Sequence, residues 1–149
     1  MVLLDSGPLG MVTNPKASEE TNHCNLWLEG LLSSGVTVAI PEISDYEVRR
    51  ELLRASKTEG IRRLDALKMT LDYLPITTPV MLKAAELWAE ARRQGRPTAD
   101  DKSLDGDVIL AAQALSVGAE GDDVMIATTN VVHLALFVNA RVWERVSSA

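Results

Sequence analysis

The sequence has one cysteine, Cys24, and two histidines, His23 and His133, in 149 residues. One thiol excludes a disulfide framework and a cysteine-built zinc site. The two histidines offer no metal-ligand spacing to each other, and Cys24 reads as a small core residue. No apolar run approaches the roughly 18–20 residues needed to span a bilayer. The start, Met1-Val2-Leu3-Leu4-Asp5, lacks the basic flank and length of a signal peptide, so a cytoplasmic location is expected. Aromatic residues make up only 4%, so Leu, Val, Ile and Ala must fill the core. Internal repeats and low-complexity tracts are lacking. No Gly-x-Gly-x-x-Gly follows the first apolar run, which disfavours a dinucleotide-binding dehydrogenase. Net positive charge is lacking too. The formal charge is −6, and an acidic chain does not draw nucleic acid through its overall field. Either nucleic acid is not the partner, or local basic patches and bound cations offset that charge.

What is present is an ordinary globular composition, 46% hydrophobic and 24% charged, of a length that fits a single domain spanning 1–149. Residues 2–5 read as a buried first strand ending in an acid, followed by a turn at Ser6-Gly7-Pro8. Residues 19–33 read as a helix with Leu26, Trp27, Leu31 and Leu32 as its apolar face. The β-branched run 36–40 reads as strand two, ended by Pro41. Helices follow over 42–57, with Ile43, Tyr46, Leu52 and Leu53 near helical spacing, and over 62–70. This helix pair is expected to project as an arm. A short strand falls within 73–76. Thr78 as N-cap and Pro79 at the first position start a helix that Gly95 closes. A polar loop covers 96–102. Ser103 or Asp105 caps the next helix, which stops at Gly118. Residues 124–127 form a buried strand, and a last short strand lies around 141–143. Strands alternating with helices imply an α/β fold with a central parallel sheet covered on both faces.

In such a sheet, ligands bind beyond the carboxyl ends of the strands. Asp5 ends strand one, Glu47 lies early in the helix after strand two, Asp107 is placed in the first turn of its helix, and Asn130 just follows the late strand. All four fall on the same edge. Gathered carboxylates raise one another's pKa and call for a cation, and hard oxygen donors favour Mg²⁺ or Mn²⁺. Each residue also has an ordinary alternative: an Asx turn at Asp5 or Asn130, a solvated helix face at Glu47, dipole complementation at Asp107. Asp105, two positions from Asp107, points elsewhere and reads as a cap or a supporting group. Asp100 and Asp101 read as solvated loop, and Asp122 and Asp123 fall at the wrong edge. Ser6 and Thr128 flank the acids and could hold water or phosphate. His133 could approach the site, with packing or surface as its alternative. Basic residues cluster at Arg49-Arg50, Arg54, Lys57, Arg62-Arg63 and Arg92-Arg93 through Arg96, suited either to phosphates or to plain helix surface.

Four segments, Val2-Leu3-Leu4-Asp5-Ser6, Ile43-Ser44-Asp45-Tyr46-Glu47-Val48, Asp107-Val108-Ile109-Leu110-Ala111-Ala112-Gln113-Ala114 and Ala127-Thr128-Thr129-Asn130, together resemble the successive motifs of PIN-domain proteins. The nearest subgroup is the VapC-like toxins of bacterial toxin–antitoxin pairs. The resemblance spans essentially the whole chain. It implies a three-layer α/β/α sandwich and a Mg²⁺- or Mn²⁺-dependent endoribonuclease acting on RNA. It also implies homodimers that pair with a small antitoxin. Asp5, Glu47 and Asp107 match the family's three main acids as metal ligands. Asn130 stands where many members have Asp, leaving the set one charge short. Two alternatives are a catalytically weak PIN-domain module that binds RNA or protein, and a structure-specific DNA nuclease.

Overall fold

The structure, a computed structural model, describes residues 1–95, 101–118 and 123–147. Five short parallel strands form the sheet: β1 (Val2–Leu4), β2 (Val38–Pro41), β3 (Asp72–Leu74), β4 (Met125–Thr128) and β5 (Ala140–Val142), in the order β3-β2-β1-β4-β5. The chain winds outward from β1 to β3 on one side, then returns to lay β4 and β5 on the other. Every strand pairs in parallel, with Leu3 opposite Ala39 on one side and Ile126 on the other. Six helices cover it: α1 (Ser6–Thr13), α2 (Glu19–Ser33), α3 (Glu42–Arg54), α4 (Thr58–Thr70), α5 (Thr78–Arg93) and α6 (Asp101–Val117). No described helix is long and apolar enough to cross a membrane.

Alternation along the strands sorts the core into layers. Val2, Leu4, Val38, Ile40 and Ala127 face α1 and α2, and Val48 of α3 and Leu64 of α4 join them. Leu3 and Ile126 face the opposite way onto Leu110 and Ala114 of α6. Beyond that, α5 packs on α6 through Val80, Ala84, Leu87, Leu104 and Val108. The result is the expected α/β/α sandwich around a parallel sheet. Cys24 is fully buried under α1, and burial with nearby Glu20 and Glu144 pushes its thiol up to about 12. The cysteine is therefore a packing residue.

Several local readings change. Ser6-Gly7-Pro8 is the first turn of α1, where proline's missing N–H costs nothing. Glycine is needed at position 7 for close approach, since a Cβ there would lie 2.6 Å from Thr129 Cγ2. The buried face of α2 is Thr21, Cys24, Leu28 and Leu31, and Leu26 is 67% exposed. Tyr46 and Leu53 of α3 are likewise exposed. The pair α3 and α4 does not project as a free arm, because Val48 and Leu64 lie in the main core and Leu52 and Leu67 pack against it. The N-cap of α5 is Thr77, whose hydroxyl accepts from Val80 N, one residue earlier than expected. The loop placed at 96–102 lies outside the described residues up to 100, and so do Arg96 and Asp100. Helix α6 already runs from Asp101, so neither Ser103 nor Asp105 is its cap. Asp123 precedes β4, where its carbonyl accepts from the Met1 amino group, while Asp122 lies outside the described residues.

Candidate metal centre at the carboxyl edge of the sheet

Strand order reverses between β1 and β4, which makes their carboxyl ends the natural ligand crevice. Asp5 stands there as the N-cap of α1. Its Oδ1 accepts from Ser6 N at 2.7 Å, and its Oδ2 accepts from the Thr128 hydroxyl at 2.7 Å. The backbone N–H of Asp5 also donates to Ala127 O at 3.0 Å. Thr128, the last residue of β4, thus ties the two central strands together through the acid. Its position was plain from the sequence. Its partner was not, because only the β1–β4 pairing brings it to Asp5.

Glu47 comes from the second turn of α3, which starts directly at the end of β2. The same helix carries Asp45, two residues earlier and on another side. Asp45 is buried and accepts from Tyr73 Oη at 2.9 Å and from Arg49 Nε at 3.1 Å, with Lys68 Nζ 3.3 Å away. Asp45 is therefore a structural anchor, while Glu47 is left with Arg50 at 3.9 Å as its cationic neighbour. Burial, Asp5 and Asp107 raise the Glu47 carboxyl to about 7, with Arg50 acting against them.

Asp107 lies in the second turn of α6, not the first, so its role is not to complement the helix N-terminus. Burial and the charge of Asp5 raise it to about 6, and His133 opposes the rise. His133, partly buried just before the 3₁₀ turn Leu134–Leu136, thus approaches the acids. The backbone of α6 crosses close by: a Cβ on Gly106 would stand 3.2 Å from Glu47 Oε2. Nothing in the sequence pattern marked that glycine. Asp105, by contrast, is exposed and lines a separate groove with Met81 and Trp88.

Asn130 follows β4 as expected, but its Oδ1 accepts from Val132 N at 3.1 Å and its N–H donates to Thr128 Oγ1 at 3.1 Å. Its oxygen is occupied in an Asx turn, the ordinary alternative of the sequence reading. Asp5, Glu47 and Asp107 therefore share one electrostatic neighbourhood, and Asn130 shapes the turn beside it. Among the described residues no three His, Cys, Asp or Glu side chains converge as a ready metal cluster.

Most of the expected basic clusters are internally paired. Arg49 bridges Asp45 and Asp65, Arg54 holds Glu51, and Arg62 and Arg63 flank Glu59.

No protein-family model and no curated protein matches the chain. Solved structures do resemble it in fold. A chain of the FitAcB structure from Neisseria gonorrhoeae matches at a TM-score of 0.70 and 21% identity, covering 98% of this chain and 100% of its own. A chain of VapBC2 from Rickettsia felis, solved bound to a promoter DNA fragment, matches at 0.68 and 19%, covering 95% and 98%. A chain of VapBC-1 from nontypeable Haemophilus influenzae matches at 0.65 and 17%, covering 97% and 100%. Likeness at these identities establishes the fold, an α/β/α sandwich, over 95–98% of this chain and 98–100% of the matched chains.

Proposed function

We propose that this chain is a metal-dependent endoribonuclease, the toxin of a toxin–antitoxin pair. The observation that carries the proposal is the triad Asp5, Glu47 and Asp107: half-buried acids at the switch point of a parallel sheet, whose charges are poorly balanced by the protein itself. The donor set is all carboxylate oxygen and fits Mg²⁺ or Mn²⁺. Asp5, Asp107 and Glu47 would hold the ion, directly or through water, with Asn130 beside it. When bound, it supplies a water of lowered pKa and offsets charge on the attacked phosphate.

The protein's own residues contribute the rest. Asp5 is fixed by Ser6 N and Thr128 Oγ1, so its oxygens have little freedom to reorganise. Glu47, whose carboxyl burial and Asp5 raise to about 7 in the metal-free protein, would ionise readily with a cation held beside it, as a ligand must. His133 lies close enough to Asp107 to oppose the rise of its carboxyl. The kinship in fold with VapBC and FitAcB complexes supports a small antitoxin as partner, and the resemblance to VapC-like toxins supports a homodimer. A second reading, a PIN-domain module that binds RNA or protein without turnover, draws on the lack of a preformed cluster among the described acids.

The test is RNA cleavage by the purified protein with Mn²⁺ and with EDTA. We expect cleavage that EDTA abolishes, and that Asp5→Asn or Asp107→Asn reduces at least a hundredfold with the circular dichroism spectrum retained. Undiminished cleavage by both variants refutes the assignment of the acids. Metal binding without cleavage by the wild type favours the binding module.

A further inference from the structure

A groove of about 620 Å³ runs from Ser6 and Glu47 between α1 and α3, past the α1–α2 loop, to the turn after α3. Its floor is apolar or bare, with Gly7, Gly10, Val48 and Leu52. Its rim carries Lys16, Arg50 and Lys57. In a chain of net charge −6 this is a local reversal of sign. Lys16 and Lys57 have no ion-pair partner among the described residues, whereas the neighbouring arginines of α3 and α4 largely pair with acids. Two acids also line it. Glu51 is held by Arg54 at 2.8 Å, and Glu47 belongs to the triad at the inner end.

Both lysines are mounted on built turns. Lys16 N donates to Asn14 Oδ1 at 3.0 Å, the Lys16 carbonyl lies 3.2 Å from the Thr21 hydroxyl, and Arg63 donates to Asn14 O at 3.3 Å. Lys57 follows Ser56, which takes a left-handed conformation with φ 55°. Ser56 N donates to Leu53 O and Lys57 N to Leu52 O, the paired bonds of a Schellman motif. The two lysines thus line the groove from ordered turns, one in the α1–α2 loop and one after α3.

We propose that this groove is the track for one unpaired strand of RNA, with Lys16, Arg50 and Lys57 on successive phosphates and a base over the Gly7–Leu52 floor. The track rests on the nuclease reading above, since its inner end is lined by Glu47 and by Ser6, the residue after Asp5. Cations spaced along a groove follow a phosphate backbone. An apolar floor requires an exposed base face, which a duplex does not present. Among the described residues no aromatic ring lines the groove, so a base would rest on aliphatic surface without ring stacking.

The test measures binding, not cleavage, and so separates from the nuclease test. The full chain in EDTA is titrated with a short labelled oligouridylate, the same oligomer with abasic positions, and an RNA duplex. We expect the single strand to bind tightest and the abasic strand more weakly. Lys16→Ala combined with Lys57→Ala should weaken binding about tenfold and reduce the slope of log affinity on log salt by about 1.4, or about 0.7 for each lost contact. Lys→Arg at both sites should keep both. Both lysines are exposed, so the variants should fold as the wild type does. An unchanged affinity or slope in the double variant overturns the proposal. So does a duplex bound as tightly as the strand, or an acidic peptide that binds this groove where the oligouridylate does not. Failure of the nuclease reading would instead show as intact binding with no cleavage in Mn²⁺.

Discussion

Glu47 is surrounded by influences that oppose its charge. Burial is the largest, Asp5 and Asp107 add to it, and Arg50 at 3.9 Å only partly compensates. Its carboxyl therefore moves from an ordinary 4.5 to about 7. The folded protein binds this proton more tightly than the unfolded chain. Stability from this group is thus fully present below about pH 4.5 and is lost as pH rises through 7. Asp107, raised from 3.8 to about 6, acts in the same direction. We expect Glu47→Gln, which removes the charge, to be more stable than the wild type above pH 7, by on the order of 2 kcal/mol. The gap should close as pH falls toward 4.5. Urea unfolding across that range measures it, and parallel stability curves would contradict the account. At this scale the sequence was legible for charged residues and less so for their partners. Asp5, Glu47 and Asp107 could be placed because each lies at or near the end of an element with an unambiguous pattern. That the Asn130 oxygen caps its own turn depends on the backbone course after β4, which no residue spacing encodes. The same holds for the bond from Thr128 to Asp5, which links residues far apart in the chain.

Helix α6 brings the third acid and also sets the room available to the second. Glycine inside a helix costs roughly 0.5–1 kcal/mol relative to alanine. Gly106 bears that cost where a Cβ would press on Glu47 Oε2 at 3.2 Å. A carboxylate on a flexible side chain can yield by a few tenths of an ångström, so Gly106→Ala should fold well. We expect it to unfold about 0.5–1 kcal/mol less readily and, with Glu47 displaced, to cleave RNA severalfold more slowly. Melting and cleavage measured together are decisive, because an unperturbed site would show the stability gain without the loss of rate. The reading of elements from sequence succeeded where hydrophobic run and punctuation agreed, as for α2, whose observed bounds are Glu19–Ser33. It failed where local signals conflict. Gly7 and Pro8 look like a turn, yet a helix forms because Asp5 caps it and proline sits in its first turn. The exposed Leu26 and Leu32 show the same limit, since which stripe of α2 turns inward is settled by packing against α1 and Trp143.

For the molecule as a whole, the strand order β3-β2-β1-β4-β5 has the largest consequence. It sets Asp5 and Thr128 side by side at the reversal point, with α3 and α6 delivering Glu47 and Asp107 from opposite faces of the sheet. The acids thus stand between the two halves of the fold, and a cation bound there would relieve a repulsion felt by both. A ligand that binds only the folded state adds RT ln(1 + [L]/Kd), about 2.7 kcal/mol at a hundredfold excess over Kd. For a domain of this size that corresponds to a rise in Tm of about 5–10 °C. We expect Mn²⁺ or Mg²⁺ to produce such a rise at pH 7.5, where the acids are largely ionised. The rise should shrink toward pH 5, where Glu47 and Asp107, raised to about 7 and about 6, hold their protons. Asp5→Asn with Asp107→Asn should remove it at every pH. Thermal melts with Ca²⁺ as a comparison ion measure the effect. A wild-type Tm that does not move at saturating metal would leave the acids without the cation that the nuclease reading requires.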